Sequence, residues 1–289
     1  MFEIFYKKYG DYIIESSNNL LIFLIPGQEL YSNYEIYQYI GIKRAEAFNI
    51  FNSKSPENDI EERDKFFIHM IIWDKRTKEL SGGQRFLFSK KDCLKNKKYS
   101  YLEEYHPNSY DKLKKESFCE IGRTFVMPRF QNRKILLELI RGFIRIPEAN
   151  NINTGIGLIS FDHRNLKRKC VNKFLNILNN SKKCSLNLPV GKYLLEDQTI
   201  SGNNSIKLSL HHGNLKFIEK ELQGIDENFE MPTVLKPYLR YCNLSYESYS
   251  IAKNYNQIMQ LLFSGRSEDI SEKQRSLLKE YDSFKKSFN

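Results

Sequence analysis

Paired cysteines are missing from this chain. Its five (Cys93, Cys119, Cys170, Cys184, Cys242) are scattered, odd in number and never spaced as Cys-x-x-Cys. That excludes a zinc knuckle and a disulfide framework and points to a reducing cytosol. No His, Cys, Asp or Glu spacing resembles a metal site, so neither a metal nor a bound cofactor is expected. A long hydrophobic run is missing too. Leu20-Leu21-Ile22-Phe23-Leu24-Ile25 closes at Pro26, whereas spanning a bilayer takes about 20 residues. It reads as a buried strand, with a membrane-touching patch as the other reading. The opening residues lack the charged region and apolar core of a signal peptide. There is no internal repeat and no low-complexity linker.

Acid is in short supply relative to base. The net charge is +10 and the pI about 9.1, which suits nucleic acid, an anionic membrane surface or an acidic carrier protein; a Lys/Asn-rich composition is the alternative cause. Hydrophobic residues make up 40% and charged ones 28% of the 289 residues, the balance of a globular protein large enough for one large core or two modest ones.

The segment Phe118-Cys119-Glu120-Ile121-Gly122-Arg123-Thr124-Phe125-Val126-Met127-Pro128 carries the most information. It predicts a strand that keeps a Glu and an Arg, is stopped by proline and is followed by a basic, apolar helix over 133–146 that Pro147 ends. Charge on a buried strand is costly unless it pairs or works. Strict alternation puts Glu120 and Arg123 on opposite faces; a bulge at Gly122 would let them converge. Either they form a structural salt bridge, or Glu120 handles an amine's proton while Arg123 holds an anion.

Upstream, the pattern predicts a helix over 35–51 bearing Arg44 and Phe48, then an acidic loop with Asp59, Glu61, Glu62 and Asp64. A hairpin follows, with strands over 65–74 and 80–88. His69 lies on its first strand and Gly82-Gly83-Gln84-Arg85 on its second. The glycines permit close approach by backbone or ligand, or mark a bulge beside a surface arginine. His69 suits a structural role better than a catalytic one. The acidic loop either binds a cationic substrate or is simply solvated. Downstream come a strand over 155–161, a helix over 165–178, a helix near 233–242, a strand near 257–263 and a charged tail over 266–289. That order is mixed α/β with one central sheet. Between His163 and Lys183 the basic residues Arg164, Lys167, Arg168, Lys169, Lys173, Lys182 and Lys183 have no acid among them. They form a solvated helix face, or a positive surface for an acidic partner. The aromatics lie in apolar runs rather than between charges, so nucleic acid is not expected.

Three segments together resemble one family. "FFIHMIIWDKRTKELSGGQRFLF" is similar to its strand–turn–strand ending in Gly-Thr-Tyr-Arg-Leu. "FCEIGRTFVMPRFQNRKILLELIRGF" matches its Glu-Leu-Gly-Arg-x-x-Val-x-Pro strand at Glu120, Gly122, Arg123, Val126 and Pro128. "MPTVLKPYLRYCNLSYESYSIAKNYNQIMQLLF" looks like its Pro-x-Leu-Leu-Lys-x-Tyr-Leu-Arg helix and last strand. Arg44 and Phe48 fit its Arg-Tyr-x-Val-Phe helix. The family is that of the ornithine-lipid type (hemolysin-like) N-acyltransferases, related to the acyl-homoserine-lactone autoinducer synthases. The chain departs from it at Cys242-Asn243, where the family has Gly-Ala, and at Lys253-Asn254-Tyr255.

The resemblance implies a GNAT-like twisted mixed sheet flanked by helices over 35–265, with 1–34 as an N-terminal extension and 266–289 as a tail. It implies transfer of a (3-hydroxy)fatty acyl group from acyl carrier protein to the α-amine of an amino acid such as ornithine or glycine. Acyl-homoserine-lactone synthesis or a non-enzymatic basic binding module are the alternatives. Under this resemblance Glu120 and Arg123 are the catalytic residues, and Arg85, Arg44, Asp64 and His69 bind substrate. Arg129, Arg133 and Lys134 hold the carrier's phosphopantetheine, since the loop 129–133 has no glycine with which to cradle the pyrophosphate of coenzyme A. The protein is expected in the cytoplasm, with peripheral contact at the membrane because its product is a lipid.

Overall fold

Residues 1–16, 19–49, 57–89, 99–131, 133–181, 186–195, 214–253 and 257–276 are described by the computed structural model. In chain order they form α1 (Phe2–Tyr9), β1 (Ile13–Ser16), β2 (Leu20–Pro26), α2 (Gly27–Tyr31), α3 (Tyr34–Asn49), β3 (Ile68–Asp74), β4 (Glu79–Ser89), α4 (Tyr101–Tyr105), α5 (Pro107–Leu113), β5 (Phe118–Val126), α6 (Arg133–Ala149), β6 (Thr154–Phe161), α7 (Arg168–Asn179), α8 (Leu215–Gln223), α9 (Leu235–Tyr241), β7 (Ser245–Ala252), β8 (Ile258–Arg266) and α10 (Glu272–Ser276). The expected α/β class, a sheet flanked by helices, is what the chain adopts. The chain forms two compact units. One holds Met1–Ser89 and Cys119–Ile152, with the end of the chain; the other holds Lys90–Phe118 and Asn153–Arg275.

In the first unit the strands run in the order β1-β2-β3-β4-β5. The run from Leu20 to Ile25 is the buried strand β2, paired antiparallel with β3 from Leu20↔Asp74 to Pro26↔Ile68. Such a continuous apolar run fits a strand covered on both faces. On β4, the register with β3 slips between Ile72 and Trp73, and the Ser81 hydroxyl donates to the Ile72 carbonyl at 2.9 Å. Gly82 and Gly83 are needed here. A side chain on Gly82 would lie 2.8 Å from the Phe125 carbonyl oxygen and 2.9 Å from Ile135, and one on Gly83 would lie 2.7 Å from the Met70 carbonyl oxygen. The close approach expected at these glycines is therefore that of β5, α6 and the partner strand. Helix α6 buries Ile135, Leu139, Ile140, Phe143, Ile144 and Ile146, one face at helical spacing. It does not stop at Pro147 but continues to Ala149. The missing N–H of proline sacrifices only one bond in the last turn, and the Pro147 carbonyl accepts from Asn150 N (2.9 Å) and Ile152 N (3.0 Å).

In the second unit β8 lies between β6 and β7, antiparallel to both. Leu102, Tyr110, Leu113, Phe118, Ile156, Leu188 and Leu262 make its core. Neither α8 nor β7 is legible in the sequence pattern; the eight residues of β7 are all buried and half of them polar. Segment 191–193 runs beside β7: Gly191 N donates to Tyr249 O (3.1 Å) and Ile251 N to Tyr193 O (2.7 Å). The buried Glu247 carboxylate fastens the preceding residues, accepting from Leu186 N (2.9 Å), Leu188 N (3.3 Å) and the Ser264 hydroxyl (2.5 Å). Helix α7 starts at Arg168 rather than 165, because the Asp226 carboxylate accepts from Lys167 N at 2.6 Å and fixes the turn before it. Acids from elsewhere also meet the basic stretch. Arg164 pairs with Asp162 (2.6 Å) and Lys173 with Glu221 (3.4 Å), so this face is less positive than its sequence suggested. Lys182 and Lys183 lie outside the described residues.

Candidate active site

In the acidic loop of the first unit Asp59 and Asp64 are buried and Glu61 partly so, while Glu62 stays exposed. Residues Glu62–Phe66 form a single 3-10 turn preceded by a capping box, in which the Glu61 side chain accepts from the N–H three residues on and the Asp64 side chain from the N–H of Glu61. This turn rests directly on Gly27 at the start of α2. Gly27 N donates to Phe67 O at 2.7 Å, and any side chain there would collide with the carbonyls of Asp64 and Phe67. Asp64 is thereby pushed inward, with none of its side chain exposed.

Three arginines from three different elements converge on the turn. Arg44 of α3 reaches Asp64 at 2.8 Å and Asp59 at 2.6 Å. Arg85 of β4 pairs with Asp64 and lies 2.7 Å from Glu61. Arg123 of β5 lies 2.9 Å from Glu61 and 3.3 Å from Asp59. Tyr37, which sequence reasoning missed, donates to Asp64 Oδ2 (3.0 Å) and to the Glu61 carbonyl (2.8 Å). Three carboxylates thus face three guanidiniums, with Arg63 approaching Glu61 at 4.0 Å. Fork-shaped guanidiniums suit such shared carboxylates. The Arg85 plane also covers the Phe67 ring at 4.4 Å, and Arg123 stands 5.9 Å from the Phe48 ring.

The electrostatics follow from burial and pairing. Burial alone would raise the Asp64 carboxyl, but Arg44, Arg85 and His69 outweigh it and hold the group well below its usual range. Burial works against the charge of Arg44, yet Asp64 and Asp59 raise its pKa. Burial raises the Tyr37 hydroxyl, and Asp64 pushes it further. His69, opposite Arg85 across the ladder, has Nε2 2.8 Å from the Asp64 carbonyl oxygen. Burial lowers its pKa to about 4, so it is neutral at pH 7.

The network grades from core to rim. Arg85 and Asp64 are sealed and Arg44 nearly so, whereas Arg123 is 18% and Glu61 25% exposed. Those last two pair opposite charges at 2.9 Å where the network is partly exposed. Glu120 is buried in β5 at 3%, and its charge contributes to raising the neighbouring Cys119 thiol after burial itself. The backbone irregularity expected at Gly122 sits one residue later. Arg123 has φ of 48°, whereas no glycine among the described residues has positive φ. A non-glycine residue held there in a strand is a strained position of the kind that clusters at sites. Arg129 is exposed and pairs with Glu79 at 2.7 Å. Lys134 is exposed in the first turn of α6, which opens at Arg133. Among the described residues no group of three or more His, Cys, Asp or Glu is placed to hold a metal ion, and no helix is long and apolar enough to cross a membrane.

Tyr37 is the member that sequence reasoning did not single out; Asp59 and Glu61 stood out only as part of the acidic loop, where the Glu61–Asp64 spacing of a capping box was the further signal.

Residues 44–141 match the family model described as Acetyltransferase (GNAT) domain, about a third of the chain. The matched stretch contains every charged member of the network. A search of the curated proteins found no match. Among solved structures, a CoA-dependent acyl-homoserine lactone synthase, BjaI, with SAM and isopentyl-CoA is similar at 9% identity and TM-score 0.47, over 90% of this chain and 87% of that one. The acyl-homoserine lactone synthase LasI is similar at 15% identity and TM-score 0.35, over 57% and 79%. FeeM, an N-acyl amino acid synthase from uncultured soil microbes, is similar at 7% identity and TM-score 0.32, over 55% and 77%. The stretch from Arg44 to Arg141, which holds all the charged residues of the network, is thus similar by its sequence to a GNAT acetyltransferase domain.

Proposed function

We propose that the protein is an N-acyltransferase that moves a fatty acyl group from an acyl carrier protein thioester to the α-amine of an amino acid. The observation that carries this reading is the partly exposed pair Glu61 and Arg123, fixed by a buried network and flanked on β5 by Glu120. An α-amino acid is a zwitterion, and a rigid carboxylate beside a rigid guanidinium complements it. Arg123 takes the acceptor's carboxylate and Glu61 faces its ammonium before reaction.

The chemistry is direct attack. The amine nitrogen adds to the thioester carbonyl carbon; the C–N bond forms, the C–S bond breaks, and the thiolate leaves and picks up a proton. Glu120, through water, takes one proton from the ammonium to free the attacking amine, and the nitrogen's second proton, lost after attack, goes to the departing thiolate. A strand N–H polarises the carbonyl. Arg44, Arg85, Asp64 and His69 are too buried to touch substrate and act as positioning residues that hold Arg123 and Glu61. Holding donor and acceptor together supplies most of the rate. Arg129 and Lys134, around the start of α6, receive the phosphate of the carrier's pantetheine arm; the side chain of Arg133 lies outside the described residues. The product is an N-acyl amino acid, a lyso-aminolipid precursor, made in the cytoplasm by a protein that touches the membrane surface.

The test is mass spectrometry of the purified chain incubated with 3-hydroxyacyl carrier protein and pooled amino acids. A new N-acyl amino acid, absent with Glu120→Gln at equal folded content, is expected. No product with an intact thioester and a folded protein overturns the reading.

A further inference from the structure

Glycine normally weakens a strand, because it loses more chain entropy on folding and contributes no packing. Gly27, Gly82 and Gly83 each have a steric reason to be glycine. Gly122 has none among the described residues. Its φ is not positive, and a side chain built on it would meet no atom within 4 Å. Yet it lies in β5 next to a strained arginine, between residues that are buried (Glu120, Ile121) and partly buried (Arg123). By strand alternation Gly122 and Glu120 share a face. The open space therefore begins one pleat from the Glu120 carboxylate and one residue from Arg123.

We propose that Gly122 sets acceptor specificity: the α-substituent of the amine acceptor occupies the space over its α-carbon. This rests on the acyl-transfer reading for the identity of the amine, and on the geometry alone for the subsite. The acceptor rather than the acyl donor fits this space, because the two groups flanking it, Glu120 and Arg123, are those that handle the acceptor's amine and carboxylate. A methyl group added at residue 122 meets no atom of the described residues beyond its chain neighbours within 4 Å, so it takes room from the ligand at little cost to the fold.

The experiment compares the full chain with Gly122→Ala and Gly122→Val. Thiol release is followed with one acyl carrier protein thioester and a graded set of amines: glycine, alanine, ornithine and phenylalanine. The expected result is that Gly122→Val lowers kcat/KM for the larger acceptors relative to glycine by roughly 10–200-fold, the usual effect of one group's worth of lost room. Gly122→Ala should fall between, and the donor KM and thermal midpoint should not drop. Unchanged acceptor ratios, or a raised donor KM with flat ratios, overturn the proposal. A second readout separates it from the acyl-transfer reading. Thermal stabilisation of the wild type by the same amines should be lost in Gly122→Val for the larger ones. If the wild type binds amines in this graded way but transfers no acyl group, the transfer reading falls and the subsite stands. Equal stabilisation of both proteins, or none of the wild type, overturns the subsite.

Discussion

Asp64 and Arg85 form an ion pair that solvent reaches on neither side, with the two side chains 0% and 1% exposed. Removing one partner of such a pair strands a buried charge, which typically costs about 3–5 kcal/mol. Asp64→Asn should therefore lower the free energy of urea unfolding by that much at pH 7, and Arg85→Met by a similar amount. Because both residues touch the same network, the double variant should fall short of additivity by more than about 0.5 kcal/mol. Strict additivity would show that the two side chains do not pair.

Acid should loosen the fold well before the carboxylates titrate. Burial lowers His69 and His106 to about 4, whereas an unfolded histidine titrates near about 6.5. Between those values the unfolded chain binds protons that the folded chain refuses. Stability is thus complete above about pH 6.5 and lost as pH falls toward about 4, with a slope of about 1.4 kcal/mol per pH unit for each histidine. Asp64, held low by Arg44 and Arg85 against the effect of burial, contributes nothing until lower pH. The two histidines sit in different units, and the His106 Nδ1 meets the Ser248 hydroxyl at 3.2 Å. Urea midpoints across pH 4–7 should flatten for the transition of the second unit in His106→Asn and keep their slope for the first. A slope unchanged in that variant would show that His106 is not the group responsible.

Much of this architecture was legible beforehand, and the exceptions have physical reasons. The hairpin, β5 and β6 stood out as short apolar runs bounded by turn residues or proline, and α6 by one apolar face at helical period. β7 did not, since its buried face is serine and glutamate satisfied by Leu186, Leu188, Ser264 and His106. Those partners are far away in sequence, and local pattern carries no trace of them. The charged residues of the site were readable one at a time as costly strand charges. Their convergence was not. It depends on Gly27 pressing the 3-10 turn inward and on Arg123 taking a left-handed backbone. The acidic loop read as solvated because loop acids usually are; here three arginines from α3, β4 and β5 close over it.

Two glycines of neighbouring strands should respond in opposite ways to the same methyl group. In Gly82→Ala the new carbon would crowd the Phe125 carbonyl and Ile135, and overpacking of that kind costs roughly 1–3 kcal/mol. Gly122→Ala meets nothing and replaces a residue that strands disfavour, so it should be neutral or stabilise by up to about 1 kcal/mol. Differential scanning calorimetry of the pair decides. A Gly122→Ala as destabilised as Gly82→Ala would mean that the space beside β5 is already filled by the chain itself.

Arg123 combines a strained backbone with the only guanidinium of the buried trio that solvent touches appreciably. Asparagine tolerates positive φ better than other non-glycine residues, so Arg123→Asn keeps the strand's geometry while deleting the guanidinium. Glu61 retains Arg85, and Asp59 retains Arg44, which leaves no acid of the trio without a partner. Stability should change by less than about 1 kcal/mol. If Arg123 holds the acceptor's carboxylate, the acceptor KM should rise by roughly 10–150-fold, the equivalent of about 1.5–3 kcal/mol for a lost charged hydrogen bond. The donor KM should stay where it was. A purely structural Arg123 would give the reverse pattern, a lower thermal midpoint with the acceptor KM unmoved, and steady-state kinetics with both substrates varied tells the two apart.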